Sequence, residues 1–176
     1  MADLHPDNPY DKERFPEPGK TVEFPPEAKK KFEHILTRYP NKEAALLPTL
    51  HLSQEVWGWI SPETVHYISG LLDLSPATVF GVVSFYNMYN QKPVGKYHLQ
   101  VCTNLSCMVT RAYDIYDHLC DKLDIKPGET TRDGKFTVGE VECLGSCNTA
   151  PVMQDNNDYL ENLPIEKVDQ LLTNLK

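Results

Sequence analysis

The chain has 176 residues, 40% of them hydrophobic and 24% charged, enough to bury a core for one domain or two small ones. Seventeen Lys and Arg against 25 Asp and Glu leave a formal net charge of −8. The acid excess is spread over both halves, so no basic face for nucleic acid is expected. No apolar run approaches the ~20 residues of a membrane span, and the first residues lack the apolar stretch of a secretory signal. The expected location is therefore the cytoplasm.

Residues 1–26 carry six prolines among charges, which predicts an extended or disordered arm. From Glu27 to Tyr39, the positions Phe32, Ile35, Leu36 and Tyr39 recur at helical spacing. A second helix should follow Asn41 as N-cap and run through Leu46, Leu47, Leu50 and Val56 to Trp57. Pro48 is expected to kink it and Gly58 to end it. Ser61-Pro62 and Ser75-Pro76 each place a capping hydroxyl before a proline at the first helical position, predicting two further helices. The last of these, through Val79, Phe80, Val82, Val83, Phe85, Tyr86, Met88 and Tyr89, is apolar nearly all round. Such a segment needs cover on more than one side, from a bundle core or from another protein chain at Phe85 to Tyr89.

After Pro93-Val-Gly95 the period changes to two. Tyr97, Leu99 and Val101 alternate with His98 and Gln100, giving a strand that runs into Cys102. A helix is expected over Ala112, Ile115, Tyr116, Leu119 and Leu123, then a strand from Phe136 to Glu142 that delivers Cys143. A hairpin around Asp155 to Asp158 and a closing helix from Ile165 to Leu175 complete the order β, α, β, β, β, α. The domains expected are thus an arm (1–26), a helical part (27–92) and an α/β part (93–176).

All five cysteines lie in that last part. Cys102 and Cys107 form a C-x4-C pair, and Cys143 and Cys147 a C-x3-C pair after 35 intervening residues, both in predicted loops after strands. Four thiolates from two loops can close around one centre, and the spacing leaves room for backbone N–H groups to face inorganic sulfide. Gly145, lacking Cβ, allows close backbone approach. Two thiolates per iron assign Cys102 and Cys107 to one iron and Cys143 and Cys147 to the other. A structural four-cysteine zinc site would use the same ligands and stays open on spacing alone. A thiol–disulfide enzyme would want C-x-x-C at a helix start, which is absent. Cys120 lies beside the apolar helical stripe and is read as a buried free thiol. The six histidines are scattered, and there is no Gly-rich phosphate loop for a nucleotide.

Around these cysteines stand Tyr39-Pro40, Ala45-Leu-Leu-Pro-Thr-Leu-His51, Gly58-Trp59-Ile60, Val83-Ser-Phe-Tyr86, Pro93-Val-Gly-Lys-Tyr97, Val101-Cys102 and Glu142-Cys-Leu-Gly-Ser-Cys147-Asn-Thr-Ala-Pro151. Over residues 27–176 the sequence resembles the thioredoxin-like [2Fe–2S] ferredoxin subunit of NADH:quinone oxidoreductase, which is respiratory complex I. The resemblance implies an α+β fold, with an N-terminal helical bundle followed by a thioredoxin-like domain. It implies a [2Fe–2S] cluster held by Cys102, Cys107, Cys143 and Cys147, which exchanges single electrons with a flavin. FMN and NADH would be bound by a larger partner subunit, docked mainly through the helical domain, alongside further peripheral-arm subunits. The chain would then be a peripheral subunit on the cytoplasmic side of the inner membrane, an electron carrier with no substrate site of its own. NAD-linked hydrogenases and formate dehydrogenases use related subunits. The family often has a small or apolar residue after the last cysteine, where Asn148 stands here.

Overall fold

The computed structural model describes residues 22–175. Most of the proline-rich arm expected over residues 1–26 lies outside them. The chain forms two compact units divided between Pro93 and Val94.

The first unit is helical: α1 (Pro26–Arg38), α2 (Leu46–Trp57), α3 (Pro62–Leu72) and α4 (Pro76–Phe85). Its start departs from the expected arm. Phe24 is buried, its ring stacks on Trp57 at 5.1 Å, and its N–H donates to the Tyr67 hydroxyl at 3.0 Å. Burial of an aromatic ring outweighs the proline-rich context here, because three aromatic faces meet. The Asn41 side chain accepts from Ala44 N–H at 2.8 Å and opens a short 3-10 turn, Glu43–Ala45, ahead of α2. Pro48 therefore falls in the first turn of α2, where N–H groups have no intrahelical partner, so the expected kink has no cause. Gly58 ends α2 at φ +80°, donating to the Gln54 carbonyl at 2.8 Å.

Ser61 and Ser75 accept from Thr64 and Thr78 N–H, at 3.1 and 3.0 Å, and cap α3 and α4 as the Ser-Pro pairs predict. Leu50, Ile60, Ile68, Leu72, Val79 and Val83 form the centre of this unit. The segment expected as one long apolar helix stops at Phe85. Tyr89 then turns inward, with its hydroxyl on the Leu47 carbonyl at 2.9 Å and its pKa pushed up to about 12 by burial and by neighbouring Tyr86. Phe85 meets the Tyr86 ring edge-on at 5.0 Å yet stays 79% exposed, and Tyr86 and Met88 are also exposed.

The second unit contains a four-stranded sheet, β1 (Tyr97–Cys102), β2 (Phe136–Val141), β3 (Met153–Asp155) and β4 (Asp158–Leu160), in the order β2-β1-β3-β4. β1 and β2 are parallel, with Cys102 opposite Val141, and β3 and β4 complete the sheet antiparallel. Where the sequence predicts only a loop after β1, residues Leu105–Val109 form a short helix, α5, capped by Asn104 and with Cys107 inside it. Helix α6 (Ala112–Leu123) packs on β1 and β2, and α7 (Ile165–Asn174) packs on α6. Leu99, Val101, Ile115, Leu119, Val138, Met153 and Val168 fill the core. No helix among the described residues is long and apolar enough to cross a membrane.

Candidate metal centre

Parallel pairing explains why both cysteine segments lie at one end of the sheet. Two parallel neighbours end at the same edge of a sheet, so whatever follows β1 and β2 shares one end of the domain. Cys102 is the last residue of β1, and Cys143 lies two residues beyond the end of β2. The Thr103 N–H still donates to the Val141 carbonyl at 3.2 Å, extending the pairing into the cysteine segment.

The two pairs differ in environment. Cys102 and Cys107 are buried at the edge of the core. Burial pushes the Cys107 thiol up to about 11, with the Cys102 sulfur adding to the rise and the Val152 N–H opposing it. Cys143 and Cys147 are exposed, with sulfurs 3.4 Å apart. The Gly145 N–H points at the Cys143 sulfur at 3.4 Å and, with Cys147, holds that thiol below its ordinary value. Gly145 reaches this position at φ +80°, a left-handed conformation that L side chains adopt only with strain. Cys147 is shifted up, first by its hydrogen bond to Cys143 and then by that thiol's charge, while the Ser106 hydroxyl pulls it down. The charge of Cys102 acts on both Cys107 and Cys147, so the four thiols form one electrostatic site.

A set of bonds from outside the cysteine loops fixes the second of them. The Tyr159 hydroxyl donates to the Leu144 carbonyl at 2.9 Å. Glu161 accepts from Thr149 Oγ1 at 2.9 Å and from the Ser146 hydroxyl. From sequence, Tyr159 and Val152 read only as strand residues of the hairpin, Ser106 only as part of a variable loop, and Glu161 is not singled out at all. Nothing in local spacing marks them, since each bond joins segments brought together by the sheet. Cys120 sits apart on α6 as a buried free thiol, as expected, and burial raises its pKa. None of the six histidines belongs to the cysteine segments, and among the described residues no three His, Cys, Asp or Glu side chains group about a single ion. Thiols grouped two and two, with backbone N–H groups directed at sulfur, fit a centre with two irons and two thiolates on each.

Comparison with known proteins follows the same line. The chain is 45% identical over 147 residues to NADH-quinone oxidoreductase subunit 2 of Thermus thermophilus, covering 82% of this chain and 81% of that protein. It is 43% identical over 143 residues to the E subunit of the NADH-quinone oxidoreductase of Rickettsia felis, covering 80% of this chain and 86% of that one. A crystal structure of an NAD+-reducing [NiFe]-hydrogenase superposes with a TM-score of 0.66 over 74% of this chain and 22% of that chain. At 24% identity, that likeness speaks for a shared fold. The family model described as thioredoxin-like [2Fe-2S] ferredoxin matches residues 32–176. The chain belongs to the thioredoxin-like [2Fe–2S] ferredoxin family, and its cofactor is a [2Fe–2S] cluster.

Proposed function

We propose that the chain is the electron-transfer subunit of an NADH–quinone oxidoreductase, the complex that the names of its relatives at 41–45% identity give. The observation that carries the reading is that two cysteine pairs, one buried and one exposed, follow the neighbouring ends of a parallel strand pair. Cys102 and Cys107 would hold one iron and Cys143 and Cys147 the other. The bound cluster supplies one-electron chemistry by iron valence change, with no bond made to a substrate.

The protein's own residues do the rest. Cys102 and Cys107 anchor the centre in the core, while Cys143 and Cys147 bring its other edge to the surface, where a partner's redox group can approach. The Gly145 and Val152 N–H groups offset negative charge on the sulfurs of Cys143 and Cys107. Leu105, Met108, Val109 and Tyr113 form an exposed apolar rim on α5 and α6, and Ser106 of α5 touches Cys147. Covering that rim would exclude water from the exposed thiol pair, strengthening the electrostatic influence of the N–H groups there.

The partner we infer is a larger subunit that binds FMN and NADH, within a peripheral arm of several subunits on the cytoplasmic side of the inner membrane. On the first unit, Phe85, Tyr86 and Met88 supply the apolar surface for that docking. The test is reduction by NADH. The cluster's EPR signal should develop when NADH meets this chain together with the flavin-bearing subunit, and should not develop with this chain alone. Phe85→Asp should weaken the association and slow that reduction, leaving the dithionite-reduced spectrum unchanged. Reduction of the isolated chain by NADH would overturn the reading.

A further inference from the structure

Two carboxylates outside the thiol set cross from one cysteine segment to the other. Glu140 of β2 accepts from Thr103 Oγ1 at 2.8 Å, and Glu142, just beyond β2, accepts from Asn104 Nδ2 at 2.7 Å. Thr103 and Asn104 directly follow Cys102, and Glu142 directly precedes Cys143. The 37- and 38-residue separations make both bonds tertiary contacts. Extended backbone repeats every two residues, so 140 and 142 fall on one side of the strand and reach the neighbouring segment together. Between them, the Thr103 N–H bond to the Val141 carbonyl closes a ladder of three cross-links.

Electrostatics alone gives no reason for these carboxylates. Negative charge beside four thiolates is unfavourable for holding them ionised and for adding an electron. Geometry gives one. Each of the three links joins a residue within two positions of Cys102 to a residue within three positions of Cys143, so together they set how far apart the two segments lie. We propose that Glu140 and Glu142 are positioning residues, clamping the Cys102 segment to the Cys143 segment so that the two thiol pairs keep the separation a two-iron centre requires. The proposal rests on the four-cysteine reading above. It predicts that the hydrogen bond matters for retention of the cluster and that the charge does not.

The experiment uses the full chain, loaded with cluster under anaerobic conditions, with loss of visible absorbance followed in excess ferrous chelator. Glu140→Gln keeps an acceptor oxygen and removes the charge, whereas Glu140→Ala removes both. We expect Glu140→Gln to lose its cluster at the wild-type rate and Glu140→Ala about tenfold faster, with a broadened EPR line in the reduced state. Glu142→Gln and Glu142→Ala should divide in the same way. Thr103→Val removes the other end of the first bond and should match Glu140→Ala, and the Thr103→Val/Glu140→Ala double variant should be no worse than either single one. Asn104 is left alone because its side chain also caps α5.

Circular dichroism separates a fold defect from a local one. Should Glu140→Ala not fold, Thr103→Val carries the comparison. Equal cluster-loss rates for the Gln and Ala variants, or additive effects in the double variant, would overturn the clamp. Failure of the four-cysteine reading looks different, since Cys143→Ser would then leave the wild-type spectrum unaltered.

Discussion

Val152 touches both cysteines of the first pair: its carbonyl accepts from the Cys102 N–H at 3.1 Å, and its own N–H is directed at the Cys107 sulfur. The residue lies just beyond the second cysteine loop, immediately before β3. A single residue therefore registers the buried thiols against the antiparallel half of the sheet. The centre is built into the strand pairing, and its integrity should follow that of the sheet.

The cysteines themselves give the clearest mutational contrast. Cys143→Ser should weaken or alter the cluster and change the reduced EPR spectrum while the far-ultraviolet circular dichroism is retained, because Cys143 is exposed and contributes little to the core. Cys120→Ala should leave the spectrum alone, since that thiol sits on α6 outside the two pairs.

Gly145 is the backbone position that the second loop depends on. No atom would meet an added Cβ within 4 Å, so the cost of Gly145→Ala comes from φ alone. That cost is ~1–2 kcal/mol. We expect faster loss of cluster in chelator, since relaxing the strain would turn the Gly145 N–H away from Cys143. Thermal unfolding of the cluster-free chain should shift down only by the few degrees that this backbone strain costs.

Phe24 should matter more than its place in a proline-rich segment suggests. Its ring stacks on Trp57 and meets Tyr67 edge-on at 5.4 Å. Phe24→Ala should destabilise the helical unit by about 3 kcal/mol. A fall in the urea midpoint, read through tryptophan fluorescence, checks this.

A pH-dependent tether joins α6 and α7. His118 Nε2 lies 2.9 Å from the Asp169 carboxylate and Lys122 Nζ lies 3.3 Å from it. The His118 hydrogen bond, followed by the Lys122 contact, holds the Asp169 carboxyl below its ordinary 3.8. A carboxyl depressed in the folded state contributes fully above its unfolded value, and that contribution is lost as pH falls through the folded value. Asp169→Asn should therefore lower the Tm slightly at pH 7, and the difference should shrink as pH falls below about 4. A difference that kept growing as pH fell below about 4 would contradict the assignment.

What the sequence made legible was whatever depended on local pattern. The Ser61 and Ser75 caps, the Gly58 stop and the strands leading to Cys102 and Cys143 all follow from spacing and side-chain chemistry. The reason for a kink at Pro48 falls away because the 3-10 turn before it shifts the start of α2, placing the proline where no N–H is needed. Helix α5 escapes a sequence reading because five residues are too few to show a period, and its cap, Asn104, lies inside the C-x4-C spacing. Tyr89 groups by pattern with the exposed apolar residues, yet a carbonyl 42 residues away turns its hydroxyl inward. The bonds from Tyr159, Glu161 and Val152 to the cysteine segments arise only once the sheet has formed, and no linear spacing encodes them.

The most direct test of the central claim is iron, acid-labile sulfide and zinc analysis of anaerobically purified chain, with EPR after dithionite reduction. Two irons and two sulfides per chain are expected, as the [2Fe–2S] family requires, with a rhombic S = 1/2 signal that Cys143→Ser abolishes or alters. Zinc without sulfide, in protein shown not to have lost a cluster during purification, would contradict that claim.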